Sequence, residues 1–108
     1  MMDKEERKIY EKFFKKIVIE HIREARIEKG WTQARLAEAV SVSHEYIRDL
    51  ESEKGDDYFS TFTVWLISKA LDVSLDQLLD FDMEAFRSVI EKAMQGKYNG
   101  SIINSVGE

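Results

Sequence analysis

IREARIEKGWTQARLAEAVSVSHEYIRDLE, residues 22–51, followed after a loop by ISKALDVSLDQLL, residues 67–79, decides how this chain folds. Gly30 is placed to end the first helix, because glycine enters the left-handed conformation without a Cβ penalty. Thr32 is an N-cap candidate whose hydroxyl can accept from an amide in the next turn, and Gln33 to Val40 follow as a short second helix. Ser41 and Val42 make a tight turn, and Ser43 caps a third helix from His44 to about Glu53. Leu36, Val40, Val42, Ile47 and Leu50 fall where the second and third helices face each other. Ala37 is small where they cross.

Outward from this stretch the chain stays helical. Asp3 to Lys29 reads as one helix, with a break between Lys15 and Ile19 left open. Ile9, Phe13 and Ile17 repeat at i, i+4 and i+8, with Tyr10 and Phe14 beside them. KGDDY, residues 54–58, reads as a polar loop. Ser60 or Thr61 starts a fourth helix that ends near Leu71, and Ser74 with Gln77 fits a capping box for a fifth, Leu75 to Leu79. Asp82 is placed to cap a sixth helix with Phe86, Val89, Ile90 and Ala93 on one face and Gly96 at its end. The tail KYNGSIINSVGE, residues 97–108, has turn residues and no helical period, so it reads as loose or strand-like.

Composition sets the bounds. The chain has 108 residues, 44% hydrophobic and 34% charged, which suits one modest core. It has no proline and five glycines, so long helices run uninterrupted. The absence of cysteine excludes disulfides and thiolate zinc sites. No apolar run approaches the roughly 20 residues of a membrane span. MMDKEERK lacks the apolar core of a secretory signal, which gives a cytoplasmic location as the expectation. The net charge is −5, unevenly spread. Residues 1–17 carry six basic and four acidic side chains (+2), residues 18–80 seven and thirteen (−6), and residues 81–108 three and four (−1). An acidic centre weakens nonspecific attraction to phosphate without excluding a locally suitable face.

The matched positions now define a resemblance. Ile22, Arg23, Arg26, Lys29, Gly30, Trp31, Thr32, Gln33, Leu36, Ala37, Val42, Ser43, Tyr46, Ile47, Leu50 and Glu51, then Ile67, Ala70, Leu71, Val73, Ser74, Leu75, Asp76, Leu78 and Leu79, resemble the pattern of the Cro/phage-repressor, or Xre-like, helix-turn-helix transcriptional regulators. The resemblance implies an all-α fold. It would be a five-helix lambda-repressor-like DNA-binding domain over residues 18–80, with an N-terminal helical extension over 1–17 and an added C-terminal helix and tail over 81–108. It implies a sequence-specific regulator, a repressor, reading a double-stranded operator with the third helix as a homodimer. No cofactor, membrane or small-molecule substrate is implied. Arg26 and Glu51 would form the family's internal ion pair, holding geometry more than adding stability.

The resemblance also assigns DNA-facing residues. His44, Glu45 and Arg48 line the outer face of the third helix. Arg48 has the donors for a guanine edge, and Glu45 can accept from a cytosine amino group. Ser43 caps the helix and can touch a phosphate. Thr32 and Gln33 stand at the second helix's start, where the family holds a phosphate and braces the recognition helix. Lys54 is a phosphate contact in the loop. The plain alternative is that these are solvated surface residues. Three departures from the pattern weigh against strong DNA binding. Ser41 replaces the turn glycine, the loop after Glu51 is longer than the family's, and His44 to Asp57 sums to −4, with Arg48 and Lys54 against Glu45, Asp49, Glu51, Glu53, Asp56 and Asp57. These favour a second reading, a protein-interaction module of the same fold, such as an antitoxin or anti-repressor.

The fourth helix is apolar twice over. Val64, Ile67 and Leu71 occupy core positions, while Phe62, Trp65 and Leu66 form a second apolar face preceded by Tyr58 and Phe59. Three covers are open: the N-terminal arm through Tyr10, Phe13, Phe14 and Ile17, the last helix through Phe86, Val89, Ile90 and Ala93, or a second subunit. A dimer face built from Phe62, Trp65, Leu66, Phe86 and Ile90 is the expectation carried forward. No catalytic constellation is legible, and the chain is not read as an enzyme. His21 and His44 lie on different helices, and His21 reads as a packing or surface residue. Glu53, Asp56 and Asp57 lack the alternating spacing of a calcium loop.

Overall fold

The computed structural model describes residues 2–105, with side chains as far as Gln95. Six α-helices and one 3-10 turn follow in order: α1 Lys4–Glu28, α2 Gln33–Ala39, α3 His44–Leu50, the turn Gly55–Tyr58, α4 Thr61–Leu71, α5 Leu75–Leu79 and α6 Met83–Ser105. No strand occurs among the described residues. Five helices, α1 to α5, close on one core in the lambda-repressor-like arrangement, and none of the described helices is long and apolar enough to cross a membrane.

Side-chain caps set the starts. Asp3 accepts from the Glu6 amide at 2.9 Å, Thr32 from Arg35 at 3.0 Å, Ser43 from Tyr46 at 3.0 Å and Ser60 from Thr63 at 3.3 Å. Ser74 and Gln77 form the reciprocal capping box, at 2.8 and 3.1 Å. Asp82 caps α6 through the Ala85 amide at 3.2 Å.

Three helices end in one motif. After α1 the amides of Gly30 and Trp31 donate back to Ile27 and Arg26, at 2.9 and 3.0 Å. After α2 the amides of Ser41 and Val42 donate to Glu38 and Ala37, at 3.3 and 3.0 Å. After α4 those of Asp72 and Val73 donate to Lys69 and Ser68, at 3.3 and 3.0 Å. This is the Schellman pattern, and its left-handed residue is Gly30 at φ +79°, Ser41 at φ +60° and Asp72 at φ +57°.

The core is Val18, Ile19 and Ile22 of α1, Leu36 and Ala37 of α2 with Val40 beyond it, Ile47 and Leu50 of α3, Val64, Ile67 and Leu71 of α4, and Leu78 of α5. Ala37 is buried where α2 meets α3, as its size requires, and Val42 is half-buried against the core.

Several expectations change. α1 does not break between Lys15 and Ile19. Its 25 residues run on as one rod because Phe14 packs on the core and Val18, Ile19 and Ile22 belong to it, and the line expected between residues 17 and 18 falls inside that helix. α3 stops at Leu50, before Glu53, and the expected polar loop is a 3-10 turn. Gly55 is buried there, and a Cβ on it would stand 1.9 Å from the Leu50 carbonyl oxygen and 2.9 Å from Ile19 Cδ1. Only glycine lets the chain pass that close to the end of α3. Tyr46 then ties the turn back by donating to the Tyr58 carbonyl at 2.6 Å.

At the other end, Gly96 does not stop α6, which continues to Ser105 in place of the expected loose or strand-like tail. An interior glycine costs about 1 kcal/mol, which a long helix absorbs. Residues 106–108 of that tail lie outside the described residues.

Candidate nucleic-acid interface

The inner side of α3 is held by a buried polar network. Arg26 donates from Nε and Nη2 to the two carboxylate oxygens of Glu51, at 2.8 and 2.9 Å, a bidentate pair almost wholly out of water. Its Nη1 donates to the Trp31 carbonyl at 2.7 Å, and Gln33 donates from Nε2 to Glu51 at 3.0 Å. The end of α1, the start of α2 and the end of α3 are thereby fixed to one carboxylate. No buried side-chain polar atom lacks a partner among the described residues. Gln33 ties the start of α2 to the end of α3 through Glu51.

The outer side of α3 is open. Ser43, His44, Glu45 and Arg48 are exposed, as are Thr32 before α2 and Lys54 after α3, while Gln33 is half-buried. Arg48 has Asp49 at 3.6 Å, a loose pair with its guanidinium mostly in solvent. The residues from His44 to Asp57 keep their net −4 along this side of the sequence.

Two features lie outside the sequence reading. Trp31 carries Lys29 Nζ at 5.3 Å and Arg35 Cζ at 4.6 Å from its ring centre. Tyr46 and Tyr58 meet edge-on at 6.0 Å and steady the longer loop. The basic residues two before and four after Trp31 are a visible signal for the first. The second joins residues too far apart in sequence to suggest themselves.

The second apolar face is resolved in part. Tyr10 meets Phe86 edge-on at 5.6 Å, Phe86 meets Phe81 at 5.2 Å, and Phe81 meets Phe14 at 5.5 Å and His21 at 5.7 Å. The arm and α6 therefore cover each other. Phe86 and Ile90 are buried within the chain, which removes both from the expected dimer face, and Val89 points outward instead of sharing their side. His21 is a packing residue that donates from Nδ1 to the Leu78 carbonyl at 3.0 Å. Among the described residues, neither the arm nor α6 covers the outer side of α4. Phe62 is 66% exposed and Trp65 42%, stacked at 6.2 Å, with Leu66 half-buried beside them. Next to them lies an apolar groove of about 550 Å³ between α1, α4 and α5, lined by Phe14, Phe59, Leu75 and Leu79 as well as by Phe62 and Trp65.

The capped helix pair, its tight turn and the braced third helix define the class, a helix-turn-helix protein. A helix-turn-helix family model matches residues 22–78, more than half of the chain. The chain belongs to the Cro/C1-type helix-turn-helix family of DNA-binding regulators. Searches of the curated proteins and of the solved structures found no match.

Proposed function

We propose that this protein is a sequence-specific transcriptional repressor that lays α3 in the major groove of an operator and binds as a two-fold dimer. The observation that carries the reading is the contrast across α3. Its inner side is fixed by Arg26, Glu51 and Gln33, and its outer side presents Arg48, His44 and Glu45 to solvent. A rigidly held helix with free polar side chains is what base reading requires. Arg48 donates to O6 and N7 of a guanine, leaving Asp49 to do so, and Glu45 accepts from a cytosine amino group. Thr32, Ser43 and Lys54 meet phosphates. Gln33 has a second N–H on the amide nitrogen that holds Glu51, and that hydrogen serves a phosphate while the first keeps the brace.

The dimer rests on Phe62 and Trp65. A two-fold contact must be self-complementary, and a protruding aromatic beside an apolar groove meets that condition, with each Phe62 entering the other subunit's groove. Repression follows from an operator-bound dimer occluding a promoter.

Selection of binding sites from random duplex DNA at stated salt tests the reading. An enriched inverted repeat is expected, and Arg48→Ala should weaken binding to it by roughly 1–3 kcal/mol and relax preference at one position of each half-site. The acidic stretch from His44 to Asp57 favours the second reading, a protein-interaction module with weak DNA binding. Folded protein that enriches no sequence would make that reading the better one.

A further inference from the structure

The groove between α1, α4 and α5 is larger than an entering Phe62 ring requires. Its volume is about 550 Å³. A dry cavity of about 150 Å³ already takes a benzene ring. One phenyl ring therefore leaves most of the groove unfilled, and wall atoms facing empty space forfeit their contacts. The walls are the rings of Phe14, Phe59, Phe62 and Trp65 and the side chains of Leu75 and Leu79. Thr61 is the one polar residue lining it among the described residues. Small-molecule sites have volumes of about 300–1,000 Å³, with apolar and aromatic walls and a few polar groups that orient the ligand. Lys15 supplies such a group. It follows Phe14 on α1, and its ammonium stands 5.6 Å from the centre of the Phe59 ring, so two wall residues flank it. Lys15 is half-buried and forms no ion pair among the described residues.

We propose that this groove binds a small monocarboxylic acid whose flat apolar body is larger than one phenyl ring, with its carboxylate on Lys15. Four aromatic walls favour a flat body, because rings packed offset or edge-on gain more than their buried area alone. The charge of Lys15 selects an acid over a neutral or cationic molecule. Its flexible four-carbon stem lets the ammonium turn from the Phe59 ring to an anion at the edge of the groove. The ligand fills the space that Phe62 of a second copy enters, so ligand and dimer exclude each other. Binding then loosens the dimer and releases an operator that needs both half-sites. This exclusion rests on the dimer reading above, whereas the ligand site stands on the groove and Lys15.

The test uses 2-naphthoate and its uncharged counterpart 2-naphthylmethanol, with equilibrium dialysis against dilute full-length protein. Saturable one-to-one binding of the acid is expected. Lys15→Gln should weaken the acid by about fivefold, the worth of one partly exposed ion pair, and leave the alcohol unchanged. Thr61→Trp, an exposed wall position given an indole, should obstruct both. Folded wild type that binds no acid saturably, or acid binding that neither variant alters, would overturn the site. Equal weakening of acid and alcohol by Lys15→Gln would overturn the choice of an acid. Sedimentation equilibrium with and without 2-naphthoate then tests the exclusion, and the acid should lower self-association of the wild type. Saturable binding that leaves self-association unchanged would overturn the exclusion, and with it the insertion of Phe62, while the ligand site stands.

Discussion

Two regions of this molecule break the ordinary partition of side chains, in opposite directions. Under α3 an ion pair sits where most small domains place aliphatic carbon. Along α4, Phe62 and Trp65 sit in water where most surface helices place charge. The first anomaly is resolved inside the chain, since Arg26 and Gln33 both donate to Glu51 and no buried side-chain polar atom lacks a partner among the described residues. Among the described residues the second is not resolved, because the arm and α6 pack on each other and leave the aromatic pair open. A closed polar cluster fixes a geometry, while an open apolar cluster asks for a partner. On the proposed function, the first holds the recognition helix and the second brings two such helices together.

Removing the charge on Glu51 should produce the largest effect. Glu51→Gln leaves the Arg26 guanidinium buried without its counter-charge. Breaking one partner of a buried pair costs about 3–5 kcal/mol. Against a typical total of about 5–15 kcal/mol, the domain should be close to unfolding. Urea unfolding should show a large fall in midpoint, and operator binding should fall with it. A variant as stable as the wild type would mean that the network is not what fixes α3, and the contrast drawn above would fail on its polar side.

The polar side is the easier one to read from sequence. Arg26, Gln33 and Glu51 stand at matched spacing in a strongly patterned stretch, and caps such as Thr32, Ser43 and Ser74 are local, so neighbouring residues reveal them. The features that escape a sequence reading depend on chain segments meeting at a distance. Nothing local says that Tyr46 reaches Tyr58, or that Gly55 must lack a side chain because Leu50 and Ile19 are against it. Phe86 and Ile90 resemble interface residues because their period is apolar, and only the packing of α6 on α1 shows that they are covered. Gly96 misleads for a different reason, since a glycine inside a helix and one at its end look alike in sequence, and the cost of the former is small. The individual DNA-facing roles are legible only through resemblance, because exposure alone does not distinguish a base reader from a solvated residue.

The apolar side is tested by substitution at the exposed pair. Phe62→Ser/Trp65→Ser should leave the monomer folded, because these side chains lie outside the core formed by Val64, Ile67 and Leu71. Aromatic residues at the centre of an interface contribute about 2 kcal/mol or more each. The double variant should therefore weaken self-association by roughly a thousand-fold. Sedimentation equilibrium of both proteins measures this directly, and binding to an inverted repeat should lose its two-site cooperativity while a single half-site is bound as before. Identical association constants would show that the aromatic pair serves some other partner, which returns weight to the protein-interaction reading.

The smallest expected effect concerns the turn between α2 and α3. Ser41 and Gly30 occupy the same left-handed place in the same hydrogen-bonded motif, and only Gly30 has no Cβ to strain. The left-handed conformation costs a non-glycine residue roughly 1–2 kcal/mol. Glycine returns part of this as about 0.5–1 kcal/mol of extra unfolded-state freedom. The relief of strain outweighs that entropy, so Ser41→Gly should stabilise the domain by up to about 1 kcal/mol, or about 4–8 °C in melting temperature for a domain of this size. Ser41 is exposed, so the change removes no buried contact and should leave both the Glu51 network and the Phe62–Trp65 pair untouched. If the melting temperature instead falls, the serine hydroxyl stabilises the turn in solution more than its backbone strains it. If base preference shifts as well, the turn sets the angle of α3 together with the buried network, and the inner side of the recognition helix has two supports.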